Sequence, residues 1–173
     1  MEITSITPVS EADWLDIRGQ CYDFMCRFGS RRLTREGCSK LEKMSFQQLK
    51  QPGTSIIAAT VRGEQGRMPV GVCFVAGYGE TACLIAVHPL YRNRHIGTSL
   101  ILSQQSRLGR LRFKVASDNY SSLTMCFHAG MHAVALESGP TGKPTLIMSV
   151  GTDVNDLDSD SKQEGETLCL NLS

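Results

Sequence analysis

Apolar residues recur with two different spacings along this chain of 173 residues, and the change of spacing separates helices from strands. Ser10 and Asp13 resemble a capping box, and a helix is predicted after them because apolar side chains return every three or four positions. Those positions are Trp14, Ile17, Cys21, Met25 and Phe28. A second helix is predicted from Thr34 to Lys50, and Pro52-Gly53 ends it.

Runs of apolar and β-branched residues begin after Thr54. Ser55–Val61 and Val70–Tyr78 flank a polar turn with glycine, which predicts an antiparallel hairpin. Cys83–Val87 is a further, nearly all-apolar run, and His88-Pro89 ends it because proline cannot continue the ladder. These runs predict three consecutive strands in the middle of the chain.

The remaining elements alternate between helix and strand. The strands are predicted at Glu2–Thr7, Phe113–Ala116, Met131–Leu136 and Thr145–Val150. One helix is marked by the apolar residues Ile96, Leu100, Ile101 and Leu108. The other helix is capped by Asp118 or Asn119, has Leu123, Met125 and Phe127 inside, and ends at Gly130. The order β-α-α-β-β-β-α-β-α-β-β predicts one α/β domain over residues 1–150.

Charge is distributed unevenly between this domain and the end of the chain. Residues 151–173 contain six acidic residues and one basic residue, so the first 150 residues hold seventeen bases against eleven acids. We expect the acidic segment to be a disordered tail, since it buries too little apolar surface to offset its ordering entropy. A basic domain attracts phosphates, but nucleic acid is a weak candidate because aromatic residues make up only 6% of the chain.

Composition also limits the compartment. No apolar run is long enough for a membrane helix, and Met1–Thr4 lacks the features of a secretory signal, so we expect a cytoplasmic protein with no membrane partner. The seven cysteines are an odd number without a C-x-x-C pair. Reduced thiols are therefore favoured over disulfides, and no metal site is predicted.

The segment from Val87 to Thr98 carries the most information about function. A strand stops at proline, a cationic turn follows, and a helix begins, so main-chain amides at the helix N-terminus are available for an anion. Arg92 and Arg94 add charged donors, and Gly97 lets the backbone approach a ligand closely. The segment therefore has the chemistry of a diphosphate-binding site.

The same segment resembles motif A of the Gcn5-related N-acetyltransferase (GNAT) superfamily. The pattern V-x-P-x-x-R-x-x-x-x-G begins at Val87, and the family's conserved Gln/Arg-x-x-Gly-x-Gly/Ala positions fall on Arg92, His95 and Gly97. Asn119 and a helix that closes at Ala129-Gly130-Met131 resemble the downstream motif. The resemblance covers residues 1–150. It implies the acyl-CoA N-acyltransferase fold, of α/β (α+β) class, with a mixed, mostly antiparallel central sheet of about seven strands flanked by four helices.

By this resemblance, the chain is expected to be an N-acetyltransferase that moves an acetyl group from acetyl-CoA to a primary amine of a small molecule, peptide or protein. The implied cofactor-binding residues are Ala86, Val87, Arg92, Asn93, Arg94, His95, Ile96, Gly97, Thr98 and Asn119. Strand Cys83–Val87 would pair with the pantetheine arm where the sheet splays apart, and Asn119 would hydrogen-bond the same arm.

Three positions depart from the family pattern. His95 replaces the first glycine of the signature, which would cost about 1–2 kcal/mol if the backbone there is left-handed. Cys126 stands where many members have the tyrosine that protonates the departing thiolate, and Cys83 stands where some have a glutamate base. Cys126 as acid and Glu80 as base are the catalytic candidates, with packing as the alternative role of Cys126. Tyr78 and His88 are further candidates for the base by their proximity in sequence.

The acceptor is left open by the sequence. The resemblance implies that the first two helices wall its site, where Trp14, Tyr22, Asp23, Arg27, Phe28, Arg31, Arg32 and Arg35 are the candidate residues. The arginines could meet an acidic substrate or simply be solvated, and Asp23 could pair with a cationic amine. A homodimer is also left open. The alternative function is a catalytically degenerate acyl-CoA-binding sensor or assembly module, because cysteine occupies both catalytic positions.

Overall fold

The computed structural model describes residues 1–29, 33–64, 66–139 and 142–151, and elements are counted within those ranges. The helices are α1 (Glu11–Phe28), α2 (Arg35–Lys43), α3 (Phe46–Leu49), α4 (Ile96–Leu108) and α5 (Tyr120–His128). The strands are β1 (Glu2–Ser5), β2 (Ser55–Gly63), β3 (Gly66–Ala76), β4 (Ala82–Val87), β5 (Leu111–Ala116), β6 (His132–Ser138) and β7 (Pro144–Val150). Short 3-10 turns at Gly77–Gly79 and Pro89–Tyr91 flank β4. The predicted class and the seven strands are confirmed.

The prediction of a single second helix over residues 34–50 is wrong, because the chain divides there into α2 and α3. Met44 is extended, and Ser45 starts a new helix through a capping box with Gln48. The carbonyl oxygen of Met44 accepts hydrogen bonds from Trp14 Nε1 at 2.9 Å and from the Arg18 guanidinium at 3.0 Å. These bonds from α1 hold Met44 out of the helix, so the described residues form five α-helices rather than four.

The strands form two sheets that are separated between β4 and β5. Their orders are β1-β2-β3-β4 and β5-β7-β6, and every ladder in the described ranges is antiparallel. No ladder joins β4 to β5 within those ranges. Each of these two strands therefore has one edge that is paired and one that is open to the space between the sheets.

The two faces of the first sheet are covered by different helices. Ala82, Leu84 and Ala86 of β4 belong to a core that also contains α1 and α2 residues. The alternate residues of β4 pack against a second core, which α4, α5 and β5 share. Because strand side chains alternate between faces, β4 contacts both cores, and it therefore positions the α1 and α2 layer and the α4 and α5 layer beside the space between the sheets.

Helix α5 corrects one predicted core position. Phe127 is 51% exposed, whereas Cys126 is fully buried and Leu123 and Met125 are half-buried against the core. Gly130, with φ +78, ends the helix region as predicted. None of the helices in the described ranges is long and apolar enough to cross a bilayer. The predicted tail after Gly151 lies outside the described residues.

Candidate functional site

A cleft of about 620 Å³ lies between the open edges of β4 and β5. Its walls are residues of β4, the loop from Tyr91 to His95, the first turn of α4, the second half of β5 and one face of α5. Phe28, Gly29, Leu33 and Thr34, at the end of α1 and before α2, close one side of it. A cleft of this size is in the range of small-molecule and cofactor sites.

The loop that leads into α4 is shaped by two left-handed residues. Asn93 has φ +59 and His95 has φ +57, a conformation that few residues other than glycine adopt without strain. His95 is the residue immediately before α4. The left-handed backbone considered for His95 in the sequence is therefore present, and it aims the first turn of α4 at the cleft.

The N-terminus of α4 differs from those of the other described α-helices. Ser10, Thr34, Ser45 and Asn119 each accept a hydrogen bond from a main-chain amide in the first turn of their helices. His95 makes no such side-chain bond in α4. Because Ile96, Gly97 and Thr98 line the cleft, their amides and the positive end of the helix dipole are available to an anion.

The Arg92 side chain, predicted to add a charged donor to the anion site, forms hydrogen bonds within the protein. Its Nε donates to the Val87 carbonyl at 3.3 Å, and Nη2 donates to the Phe28 carbonyl at 3.0 Å. The guanidinium therefore joins the end of α1 to the end of β4 and holds the cleft wall together. Arg92 also lines the cleft, with its Nε and Nη2 engaged by carbonyl groups.

Gly97 lies where α4 packs closely against α5. A Cβ atom placed on Gly97 would overlap Sδ of Met125, and both residues line the cleft. The sequence suggested that this glycine lets the backbone approach a ligand. The structure adds a second reason, namely that the two helices meet closely at this point.

Nine of the ten predicted cofactor-binding residues line the cleft. They are Ala86, Val87, Arg92, Asn93, His95, Ile96, Gly97, Thr98 and Asn119. Arg94 does not, and its guanidinium carbon lies 5.3 Å from the centroid of the Tyr91 ring. Asn119 also caps α5, where its Oδ1 accepts a hydrogen bond from the Ser122 amide at 3.4 Å.

The two predicted catalytic residues are not among the residues that line the cleft. Neither Cys126 nor Glu80 lines it, and the same is true of Tyr78 and His88. Cys126 is buried, and its burial raises the pKa of the thiol to about 12. Donation from such a thiol to an ordinary thiolate would be uphill by about 3 pKa units, or roughly 4 kcal/mol. The geometry therefore favours the packing role of Cys126.

Cys83 does line the cleft, but its chemistry is not that of a base. A hydrogen bond with the Cys73 thiol, together with burial, raises the pKa of the Cys83 thiol well above its usual value. A thiol with a raised pKa stays protonated and neutral at neutral pH. A neutral thiol does not act as a base, so Cys83 does not take the role of the glutamate base that the family resemblance implies at this position.

Sequence reasoning missed the polar face of α5. Ser121, Ser122, Thr124 and His128 line the cleft beside Met125. The His128 and His95 rings have centroids 6.2 Å apart, so two histidines meet across the entrance to α4. Positions 121, 125 and 128 are spaced so that they share one face of a helix, and this spacing could have revealed the face. The prediction for α5 considered its apolar residues alone and therefore overlooked the polar ones.

The predicted acceptor residues are divided between two cavities and the core. Phe28 lines the cleft, whereas Tyr22 and Arg35 line a smaller cavity between α1 and α2 together with Cys26, Cys38 and Glu42. Trp14 is fully buried. Arg31 and Arg32 lie outside the described residues, and Asp23 and Arg27 line neither cavity. The helices thus supply one wall of the cleft, mainly through apolar groups.

No protein-family model matches the sequence, and no curated protein matches it in a sequence comparison. Solved structures do resemble its fold. A structure from Desulfovibrio desulfuricans assigned to the GNAT family covers 87% of this chain and 99% of its own, with a TM-score of 0.59 at 14% identity. Aminoglycoside acetyltransferase AAC(6')-Ib, in complex with coenzyme A and kanamycin, covers 87% and 95%, with a TM-score of 0.55 at 16% identity.

A variant of spermidine N-acetyltransferase SpeG from Vibrio cholerae covers 87% of this chain and 94% of its own, with a TM-score of 0.55 at 10% identity. These likenesses extend over nearly the whole length of each similar protein. The chain therefore has the fold of the GNAT acetyltransferases, which confirms the fold that motif A implied.

His95→Gly is expected to raise the free energy of unfolding by about 0.5–1 kcal/mol, because glycine removes the left-handed strain at φ +57. Urea denaturation monitored by circular dichroism measures the change. Asn93→Gly is the matched control, since asparagine tolerates the same conformation better and should give a smaller gain. A loss of more than about 1 kcal/mol in His95→Gly would show that the imidazole has a stabilising contact that outweighs the strain.

Proposed function

We propose that the protein is an acetyl-CoA-dependent N-acetyltransferase that acts on a primary amine. The observation that carries the proposal is the N-terminus of α4, where amides of the first turn line the cleft without a capping side chain. Structures with the same fold support it, since they include acetyltransferases in complex with coenzyme A or with acetyl-CoA. The fold alone would not suffice, because one fold hosts many functions.

The residues of the cleft fit coenzyme A in two independent ways. The amides of Ile96, Gly97 and Thr98 suit the diphosphate, which the helix dipole also favours. The open edge of β4 offers main-chain donors and acceptors to the amide-bearing pantetheine arm, as sheet edges do for extended peptides. The Val87 carbonyl is the exception on that edge, since it already accepts from Arg92.

Acetyl-CoA supplies an acetyl group that is activated as a thioester. The chain's contribution is to bind and orient the two reactants in a cleft whose lining includes the apolar side chains of Phe28 and Leu33. A proton must be delivered to the sulfur as the amide forms. Ser122, Thr124 and His128 of α5 are the cleft residues that we assign to this role, in place of Cys126.

The described lining of the cleft offers no carboxylate as a base for the amine. Deprotonating an amine of pKa about 10.4 at neutral pH costs roughly 5 kcal/mol, so we propose that the acceptor enters as the minor neutral form. Turnover should then rise with pH until the acceptor itself is neutral. Positioning supplies the remaining acceleration.

The same lack of a carboxylate favours a second candidate, an acyl-CoA-binding module without turnover. One experiment separates the two. Coenzyme A binding is measured by calorimetry, and thiol release from acetyl-CoA is then followed with a panel of primary amines. The proposed enzyme binds coenzyme A and releases thiol in proportion to acetylated amine. Binding without release for every amine supports the module, and absence of binding contradicts both.

Cys126→Ala is expected to leave kcat and its pH profile between pH 6 and 9 within about twofold of the wild type. The pKa of Cys126 is raised to about 12, so its thiol is protonated throughout this range and contributes no titration to the profile. Initial rates of thiol release measure the effect. Thr124→Ala is the comparison, since Thr124 lines the cleft. A tenfold fall in kcat for Cys126→Ala but not for Thr124→Ala would indicate that Cys126 is the general acid.

A further inference from the structure

Two parts of the cleft wall that are far apart in the sequence meet beside the end of β4. Phe28 is the last residue of α1, and its carbonyl oxygen accepts a hydrogen bond from Nη2 of Arg92 at 3.0 Å. Nε of the same guanidinium donates to the Val87 carbonyl oxygen at 3.3 Å. The carbonyl groups of a last helical turn lack partners within the helix, so Arg92 supplies a donor that α1 cannot supply itself.

Aromatic rings pack together at the same place. The Phe28 ring lies 4.5 Å from the His88 ring and 4.8 Å from the Phe24 ring, measured between centroids, and the His88 and Tyr91 rings are 5.7 Å apart. Aromatic rings attract each other at these separations. His88 and Tyr91 lie in the turn that joins β4 to Arg92. Phe28, His88, Tyr91 and Arg92 therefore connect α1 to this turn, and we call them the α1 junction.

The α1 junction connects two parts of the cleft that we assign to different ligands. On one side, the loop after Arg92 leads into the first turn of α4, which is assigned to the diphosphate. On the other side, Phe28, Gly29 and Leu33 line the cleft. A Cβ atom placed on Gly29 would overlap Cδ1 of Leu33, so Leu33 packs directly against the end of α1. Displacing the end of α1 would therefore displace this apolar wall.

The apolar wall is the part of the cleft that remains for the amine. Coenzyme A is assigned to α4 and to the open edge of β4, and the proton donor is assigned to α5. Residues of α4 and α5 pack into one core and those of α1 and α2 into another, on opposite faces of β4. An amine that reaches the thioester without displacing the coenzyme or α5 therefore contacts Phe28 and Leu33 on the α1 side.

We propose that Arg92 is a positioning residue for the acceptor amine. It fixes the end of α1 to the loop that binds coenzyme A, so that the bound coenzyme orders the wall that the amine contacts. Arg92 acts through the Phe28 carbonyl group and not through a bond to the diphosphate. This inference rests on the proposed acetyltransferase function and adds a residue to the same site. Because both ligands depend on one junction, each should raise the affinity of the protein for the other.

Three substitutions separate positioning from charge. Arg92→Met removes both hydrogen bonds and keeps a long side chain. Arg92→Lys keeps the charge, but its single ammonium group does not reproduce the planar fork that spans two carbonyl groups. Arg107→Met is the control for the loss of one positive charge, because Arg107 is exposed in the last turn of α4 and does not line the cleft.

Three measurements are made on each protein. Thiol release from acetyl-CoA, with the primary amine of the panel that reacts fastest, gives kcat and the KM of the amine. Calorimetric titration at two salt concentrations gives the coenzyme A Kd and its salt dependence. Hydrogen–deuterium exchange of residues 22–29, with and without coenzyme A, shows whether the coenzyme orders the end of α1. We expect coenzyme A to slow this exchange at least about fivefold in the wild type and less than about twofold in Arg92→Met.

Arg92→Met should raise the KM of the amine at least about 10-fold, with kcat and the coenzyme A Kd within about threefold of the wild type. Arg92→Lys should give an intermediate KM, and Arg107→Met should leave all three values within about twofold. An unchanged KM in Arg92→Met, or exchange that coenzyme A slows equally in both proteins, overturns this inference alone. A coenzyme A affinity that falls about 10-fold or more and depends less on salt, with the KM unchanged, would place the guanidinium on the diphosphate and overturn it too. Coenzyme A binding without thiol release from any amine overturns the proposed function and this inference together.

Discussion

Replacing Gly97 with glutamate will weaken coenzyme A binding by about 100-fold or more, equivalent to about 2.7 kcal/mol. A carboxylate in the first turn of α4 would stand among the amides that are assigned to the diphosphate, and like charges repel at this distance. The new Cβ atom would also overlap Sδ of Met125. Isothermal titration calorimetry with coenzyme A measures the loss.

Charge and packing can be separated because Met125 is a flexible side chain. Gly97→Ala adds only the Cβ atom, and Gly97→Ala with Met125→Ala removes the atom that it would overlap. We expect the double variant to bind within about fivefold of the wild type, while Gly97→Glu with Met125→Ala stays more than about 50-fold weaker. If the glutamate variants bind coenzyme A with near-normal affinity, the N-terminus of α4 is not part of the coenzyme A site.

Trp14→Ala will lower the free energy of unfolding by about 3–5 kcal/mol, a large share of the stability of a domain this size. Trp14 is fully buried, and its indole nitrogen donates to the Met44 carbonyl at 2.9 Å. The substitution therefore opens a cavity under α1 and weakens the bond that ends α2. Urea denaturation, with the m-value checked for two-state behaviour, measures the change.

Leu15→Ala is the matched control for Trp14→Ala, because Leu15 is the next residue of α1 and is 51% exposed. We expect it to cost no more than about 0.5–1 kcal/mol. Because α1 supplies Phe28 to the cleft, the Trp14→Ala protein that remains folded should lose more affinity for the acceptor than for coenzyme A. A cost below about 1 kcal/mol for Trp14→Ala would contradict the packing described for α1.

Local sequence patterns predicted the elements that depend on local physics. The nearly all-apolar run Cys83–Val87 marked β4, and the proline after it marked its end. The proline, the cationic turn and Gly97 together marked the entrance to α4, because a helix N-terminus carries its chemistry in its own backbone. Nine of the ten predicted cofactor-binding positions line the cleft, and those in the loop and the first turn of α4 were accessible to prediction for this reason.

Contacts between distant residues could not be predicted from such patterns. The Arg92 guanidinium binds a carbonyl 64 positions away at Phe28, so its engagement is invisible in the cationic turn itself. The break at Met44 depends on hydrogen bonds from Trp14 and Arg18. Cys126 matched a catalytic position by count, but the tertiary packing of α5 turns it into the core and brings Ser122 and His128 to the cleft.

The most direct test of the central claim compares coenzyme A with pantetheine, which lacks the diphosphate, in calorimetric titrations of the wild-type protein. If the first-turn amides of α4 bind the diphosphate, coenzyme A will bind at a single site, and pantetheine at least about 100-fold more weakly. Gly97→Glu should abolish most of that difference. Equal affinities for the two compounds, or no binding of coenzyme A, would contradict the claim.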